Sequence, residues 1–351
     1  MDWTDLTSSL QLDLLIAGLL LLMAVLAYNL WSSRRSRPRQ PEPSRADPAA
    51  PAAAGDSDAA RIEPTLDDPF AHLPAPERKP ALDALIDVLA SVDVDQWVSG
   101  EAALAALPAT RRIGTKPFLV EGRREDTGAW ESVAPGHRYT AFQAGIQLAN
   151  RMGPLNEIEY SEFAVKTHAF AEAVGGNATL GEMLQEVARG RELDQFASAH
   201  DAQLGFTLCA RAIAWSPGYV QQNAARIGFV AGVVPGRMVL PSATPGMPPV
   251  LSLTFDTAAA LSDDPDQAAI REVTISLDVP QVPREEAPFA RLREAAAWLA
   301  EHMDGVITDG GGQVLGDAVM SQIELDLQSL YDALDQRELS AGSPQARRLF
   351  S

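Results

Sequence analysis

The stretch VTISLDV, residues 273–279, decides the fold class of the second half of the chain. Its apolar side chains alternate with Thr, Ser and Asp, and this period of two predicts a half-buried strand. After two prolines, apolar residues recur with the spacing of one helix face, at Phe289, Leu292, Ala296, Leu299 and Met303. This spacing predicts an amphipathic helix. A strand followed by a helix that covers it is therefore expected here.

The same pattern occurs 129 residues earlier, where Ile146 and Leu148 take the places of Ile275 and Leu277. The helix spacing repeats at Tyr160, Phe163, Thr167, Phe170 and Val174. Upstream of each copy the chain reads as a strand, a helix and another strand: LIDVLASV, GEAALAALP and KPFLVEG in the first, FTLCARAI, GYVQQNAARIGF and GRMVLP in the second. The repeated order predicts a tandem duplication.

The predicted fold class is therefore α+β, with two tandem units. Each unit is expected to have a mainly antiparallel sheet covered by helices on one face, because its strands are short and lack continuous Val and Ile runs. The first unit is predicted over residues 81–199 and the second unit over residues 203–336. A flexible tail is predicted over residues 337–351.

An apolar, uncharged run of seventeen residues, LLIAGLLLLMAVLAYNL, occupies positions 14–30. As a helix it would measure about 26 Å, close to the thickness of a bilayer core. It predicts a transmembrane helix over residues 14–31. The residues expected to anchor it are Leu14, Leu20, Leu26, Trp31, Arg34 and Arg35.

The charges on either side of this run predict its orientation. Residues 1–13 contain acidic residues and no Lys or Arg, whereas four arginines follow Trp31. The positive-inside rule therefore places residues 1–13 outside the cytoplasm, in the periplasm of a bacterium, and the rest of the chain inside. A cleaved signal peptide would need a basic beginning, and a buried core helix would not be followed at once by arginines.

Residues 32–80 are rich in Pro, Ala, Ser, Arg and Asp and have no apolar periodicity. Such a composition predicts a disordered linker, because it cannot bury enough apolar surface to offset the entropy of ordering. In its stiffest, extended form it would reach on the order of 150 Å. It would let the folded units search the cytoplasm near the membrane.

Composition argues against several classes of function. A net charge of -19 disfavours nucleic-acid binding. The single Cys209 and five scattered histidines give no pattern of metal ligands, so no metal or other cofactor is expected. The glycine-rich stretch DGGGQVLG, residues 309–316, lacks the ending of a P-loop and is better explained as a hairpin. No nucleophile motif is present, and the chain is not expected to be an enzyme.

Three stretches of the second half are VLSLTFD at 250–256, VTISLDVP at 273–280 and AAWLAEHMDGVITD at 296–309, and they precede a helix expected from about Asp317. In their order and spacing they resemble the FtsZ-binding domain of the ZipA family of cell division proteins. The resemblance covers roughly residues 203–336. The family is similar in architecture as well, with a single N-out membrane span, a proline-rich cytoplasmic linker and an α+β domain.

The resemblance implies an adaptor that binds the C-terminal tail of FtsZ and tethers the division ring to the bacterial inner membrane at the septum. In the family, the tail docks in a shallow apolar groove on the open face of the sheet. Carried over by position, the groove residues are Val234, Met238, Leu240, Thr254 and Ser276. Ser276 departs from the family, which has a large apolar residue there. Thr254 and Ser276 are equally well explained as the solvated face of a strand.

Two questions stay open at this point. The domain could serve a different cell-envelope or divisome partner as a membrane-tethered peptide-binding module. The first unit, additional to the family's arrangement, is either a second partner site or self-association surface, or a diverged copy that stabilises its neighbour.

Overall fold

The computed structural model describes residues 38–41, 81–262 and 268–351. Within these residues the chain forms two compact units. The first unit comprises residues 81–201 and Ser343–Ser351, and the second unit comprises residues 38–41 and Ala202–Gly342. Both are α+β with antiparallel sheets, as the sequence predicts. Residues 1–31, the predicted extracytoplasmic segment and transmembrane helix, lie outside the described residues, as does most of the predicted linker.

The first unit begins with a long strand that becomes the middle of its sheet. Its elements are β1 (Asp87–Ser99), α1 (Gly100–Ala106), β2 (Arg112–Ile113), β3 (Lys116–Arg124), β4 (Trp130–Ser132), β5 (Arg138–Gln147), β6 (Ala149–Asn150), β7 (Gly153–Pro154), α2 (Glu157–Ala173), β8 (Gly176–Thr179) and α3 (Met183–His200). The sheet has the order β2-β3-β5-β1-β8, β4 pairs with β3, and β6 and β7 form a separate small hairpin.

The core of the first unit lies between this sheet and α2. Phe163 packs edge-on against Phe118 of β3 at 6.0 Å between ring centres, and Phe170 packs edge-on against Phe142 of β5 at 5.3 Å. The helix begins at a capping box, in which Asn156 accepts hydrogen bonds from the first turn and the Glu159 side chain accepts from the backbone of Asn156. The aromatic side chains that the helix spacing selects are therefore buried as expected.

The second unit contains the stretch that decides its fold class. Its elements are β9 (Gln203–Ala210), α4 (Pro217–Arg226), β10 (Val230–Ala231), β11 (Arg237–Leu240), β12 (Leu251–Thr254), α5 (Thr257–Ala260), β13 (Glu272–Asp278), α6 (Pro288–Met303), β14 (Gly305–Thr308) and α7 (Asp317–Gln336). Two short 3-10 turns, Val279–Gln281 and Arg284–Glu286, join β13 to α6. The sheet order is β10-β11-β12-β13-β9-β14.

The predicted strand and helix of the second unit are confirmed. The apolar side chains of β13 are buried, and so are all five helix residues selected by their spacing. Phe206 of β9 meets Phe289 of α6 at 6.3 Å between ring centres, which places α6 over this face of the sheet. The expected hairpin after β14 is present too, since the amide of Asp309 donates to the carbonyl of Gln313 at 2.9 Å.

Residues 343–351 differ from the predicted flexible tail. They form helix α8 (Pro344–Leu349), which belongs to the first unit, and Leu349 and Phe350 are fully buried. Arg348 forms two hydrogen bonds to the carboxylate of Asp87 in β1, at 2.8 and 2.6 Å. Asp87 is fully buried, and this burial raises its pKa, although Arg348 opposes the increase. Contacts with residues far away in sequence order this short segment.

Residues 38–41 differ from the predicted disordered linker. Arg39 forms a one-residue parallel bridge with Trp215, and Pro38 is buried. This short piece is therefore part of the second unit. The chain passes from the second unit to the first, back to the second, and again to the first.

Candidate functional site

One face of the second unit's sheet lies opposite the face that packs on α6, and we call it the open face. Because antiparallel partners share a face, the strand registers define its side chains. One row across it consists of Val230, Val239, Ser252, Ser276 and Gly205, and the next consists of Arg237, Thr254, Thr274, Thr207 and Thr308. Most of these side chains are half-buried or exposed. The open face is therefore mainly hydroxylated at its centre.

The structure separates the five residues predicted for the groove. Thr254 and Ser276 lie on the open face, in adjacent rows of adjacent strands. Met238 and Leu240 do not, because they pair with the core residues Leu253 and Leu251 and are buried on the other face. Met238 and Leu240 are two residues apart on β11, so their side chains point to the same face of the sheet. That face is the core, and these two residues therefore do not line the groove as predicted. Val234 precedes β11 and is exposed.

An apolar edge borders the open face at the hairpin of β10 and β11. Val230 and Val239 are cross-strand partners in the first row, and Val230 has 48% of its surface exposed. In the loop between the strands, Val233 and Val234 are 104% and 52% exposed. Sequence reasoning selected only Val234 from this hairpin. The signal that sequence reasoning missed is the valine-rich segment VAGVVPG, residues 230–236. Its three valines are exposed, so they do not show the alternation of buried and exposed side chains that a half-buried strand would have.

A shallow depression of about 270 Å³ lies on the open face, between Arg237 of β11 and Gln203 of β9. Its floor includes Ser252 and Ser276, and Pro248 and Pro249 form part of its wall. Arg237 also lines it and donates to the Ser252 hydroxyl at 3.1 Å, while the Ser276 hydroxyl donates to the Ser252 carbonyl at 3.4 Å. Proline walls, hydroxyl groups and one arginine beside exposed valines can contact an extended or helical peptide through both apolar and polar groups.

The corresponding face of the first unit is partly covered by its own chain. The buried carboxylate of Glu121 accepts hydrogen bonds from the amides of Ala81 and Leu82 and from the Gln143 side chain. Leu82 lies over Gly145, where a Cβ would come within 2.3 Å of it. At this end of the first unit's sheet, the polar groups already have partners within the chain.

A cluster of ionisable groups near β4 has a structural arrangement. Glu131 is buried, lies 2.5 Å from His137 and accepts a hydrogen bond from Tyr139 at 2.8 Å. The Tyr139 hydroxyl also accepts from the amide of Ala134 at 2.9 Å, and burial raises the pKa of Tyr139 to about 12. This network holds the loop between β4 and β5. In the described part of the chain, no group of three or more His, Cys, Asp or Glu residues is arranged to hold a metal ion.

The predicted membrane anchor cannot be placed, since Leu14, Leu20, Leu26, Trp31, Arg34 and Arg35 all lie outside the described residues. Among the helices that the structure does describe, none has both the length and the apolar character needed to cross a bilayer. No family model matches the chain, and no curated protein shows significant similarity to it.

Proposed function

We propose that this protein is a non-enzymatic, membrane-tethered adaptor of the ZipA type, whose second unit binds the C-terminal tail of FtsZ on its open face and tethers the division ring to the bacterial inner membrane. The observation that carries the proposal is the open face itself. It combines a shallow depression with exposed valines at the β10–β11 edge. The order of stretches shared with the ZipA family in the same unit supports this choice.

The proposed contact uses a groove shifted toward the β10–β11 edge. Val230 and Val239 supply the apolar anchors that Met238 and Leu240 were expected to supply, since the latter two are buried in the core. The hydroxyl rows around Ser252 and Ser276 contribute polar contacts to the peptide. A few apolar anchors in such a groove account for most of the binding energy in peptide recognition.

We propose further that the two units arose by tandem duplication. In the first unit's sheet, β1 lies between β5 and β8, which come before and after helix α2. In the second unit's sheet, β9 lies between β13 and β14, which come before and after helix α6. Helices α2 and α6 are each followed by a residue with left-handed backbone. These residues are Gly175, at φ 70°, and Asp304, at φ 56°, and they lie 129 positions apart. The strands after them, Gly176–Thr179 and Gly305–Thr308, keep the same separation.

The second copy is the proposed partner site because one end of the corresponding face of the first copy is covered by its own chain. In the first copy, residues 81 and 82 cover Gly145 and Glu121. The first unit is then a diverged copy that stabilises its neighbour, with a second partner site or a self-association surface as the alternative role. A different envelope or divisome peptide on the same open face is the runner-up function.

The test is capture of FtsZ by the full chain in lipid nanodiscs, with FtsZ lacking its C-terminal tail as the comparison. Val230→Asp, on the open face, is expected to weaken tail-dependent capture at least about tenfold. Val319→Asp is the matched control, because Val319 lies on α7 with the same 48% exposure. Absent or tail-independent capture would reject FtsZ as the partner, and an equal effect of both variants would reject the open face as its site.

A further inference from the structure

The backbone around Arg39 docks on the second unit as an added strand. Its amide donates to the carbonyl of Ala214 at 2.7 Å, and its carbonyl accepts from the amide of Ser216 at 3.0 Å. Trp215, between these two partners, is fully buried and forms an antiparallel bridge with Ile270 on its other side. Arg39 thus completes a three-stranded ladder, the geometry by which domains bind extended peptides at a sheet edge.

The side chain of Arg39 contacts the end of α6. Its guanidinium donates to the carbonyl of Met303 at 3.2 Å and to the carboxylate of Asp304 at 3.2 Å. The Met303 carbonyl also accepts from the indole of Trp215 at 2.8 Å. Carbonyls at a helix C-terminus carry partial negative charge and favour a cation. The site is therefore selective for a basic side chain at this position.

Prolines flank the arginine in the pattern Pro-x-x-Pro, at Pro38 and Pro41. Pro38 is buried, and Pro41 faces Gly218 at the start of α4, where a Cβ would lie 3.4 Å from it. Such a segment favours the extended polyproline conformation before it binds, which lowers the entropy cost of docking. Backbone pairing, a cation site and two proline contacts together define one ligand.

We infer that the second unit carries a binding site for a short, extended Pro-x-x-Pro peptide with an arginine, and that its occupant is residues 38–41 of the same chain. This site is separate from the open face, because it uses residues 214–218 and the end of α6.

The occupied site sets the length of the membrane tether, and this consequence rests on the proposed function. The predicted span ends at Trp31, eight positions before Arg39. Eight extended residues reach at most about 29 Å. Docking therefore holds the second unit close to the inner leaflet. Release would leave it connected to the membrane only through residues 32–80 and the first unit.

Hydrogen exchange on the full chain in nanodiscs tests the docking itself. Arg39→Ala removes the guanidinium contacts to Met303 and Asp304, so residues 38–41 are expected to leave the site and exchange of the Ser216 amide to speed up at least about tenfold. The control is Arg293→Ala, which breaks an exposed pair with Glu324 at 3.3 Å elsewhere in the same unit. Equal exchange in wild type and both variants would overturn the inference.

A second variant blocks the site without touching Arg39. Gly218→Leu favours helix α4 while filling the space that Pro41 occupies, so it should speed Ser216 exchange as Arg39→Ala does and leave the unit folded. Unchanged exchange would exclude the proline contact. The protection should not change on hundredfold dilution, because the ligand is intramolecular; a loss on dilution would show that another copy supplies it and overturn the assignment.

Energy transfer from a lipid dye measures the tether. The donor is a fluorophore on Ser329→Cys, an exposed position of α7, in a Cys209→Ser background. Arg39→Ala should lower the transfer, and equal transfer would overturn the short tether. If the chain does not float with lipid at all, the membrane anchor of the proposed function fails, whereas faster exchange in Arg39→Ala still supports the peptide site.

Discussion

Arg348→Met should expose how strongly α8 holds the first unit together. In the folded chain, both carboxylate oxygens of Asp87 accept from the Arg348 guanidinium, at 2.8 and 2.6 Å, and one of them also accepts from the amide of Asp83 at 2.9 Å. Asp87 is fully buried, whereas 23% of the Arg348 side chain is exposed. The substitution keeps most of the apolar stem of Arg348 and removes only the charge and the hydrogen bonds.

Breaking a buried ion pair from one side costs about 3 to 5 kcal/mol, because the remaining charge is buried without its partner. Arg348 is partly exposed, so water can reach the vacated position, and we expect the lower end, about 3 kcal/mol. The double variant Asp87→Asn/Arg348→Met should recover most of this loss, since the buried group is then neutral. A double-mutant cycle isolates the pair from the packing of α8.

The loss should depend on pH with a defined sign. Burial raises the pKa of Asp87 above 3.8, so the folded state binds this proton more tightly than the unfolded state, and stability falls as pH rises above 3.8. Arg348 lowers this pKa. Without Arg348 the pKa rises further, and the pH range over which stability is lost widens. The difference between wild type and Arg348→Met is therefore largest at neutral pH and becomes smaller toward low pH, where Asp87 is protonated in both.

The assay is urea unfolding of the full chain. Unfolding is detected by hydrogen exchange in peptides from β1, so that only the first unit is monitored. Arg293→Met serves as the control, because Arg293 and Glu324 are exposed and their pair should contribute little. A shift below about 1 kcal/mol at neutral pH, or a shift of the same size at all pH values, would refute a buried, ionised pair at this position.

Three further substitutions test other contacts. Glu159→Gln should destabilise the first unit by about 3 kcal/mol, because it leaves the ammonium of Lys116, which is only 2% exposed, without its partner at 3.0 Å; an unchanged urea midpoint would contradict this. Gly175→Ala should cost about 1 kcal/mol by calorimetry, since φ is 70° but no atom lies near the new Cβ; a neutral result would mean that the turn relaxes. Gly100→Ala places a Cβ 1.8 Å from the carbonyl oxygen of Ala134, so we expect the free energy of unfolding to fall by about 2 kcal/mol or more. A thermal unfolding midpoint equal to that of the wild type would contradict this.

The sequence predicted the elements whose pattern is local and regular. The alternation in β13 and the helix spacing in α6 each place the recurring apolar side chains on one face, which is the buried one, so both elements were located correctly. Helix α3 was not anticipated, because its buried positions Val187, Gly190 and Leu193 form a narrow stripe that includes a glycine. Very short strands such as β6 and β7 carry no period at all.

The site was predicted only in part. Alternation along a strand shows which side chains share a face, but it does not show which of the two faces packs against the core. Met238 and Leu240 lie on the same face of β11, and only their pairing with Leu253 and Leu251 shows that this face packs against the core. The docked Arg39 and the buried Asp87–Arg348 pair join residues more than 170 and 260 positions apart, at Trp215 and in α8. No local pattern reports such contacts.

The interleaved path of the chain has a consequence for its synthesis. The first unit needs residues 343–351, but the ribosome reaches them only after it has made the 141 residues of Ala202–Gly342. At 5 to 20 residues per second, this delay lasts roughly 7 to 28 s. During that time the nascent first unit lacks Arg348, so Asp87 has no guanidinium beside it. A product whose translation stops inside the second unit keeps this defect permanently, because it lacks both the Arg348 guanidinium and the buried Leu349 and Phe350 side chains that complete the first unit.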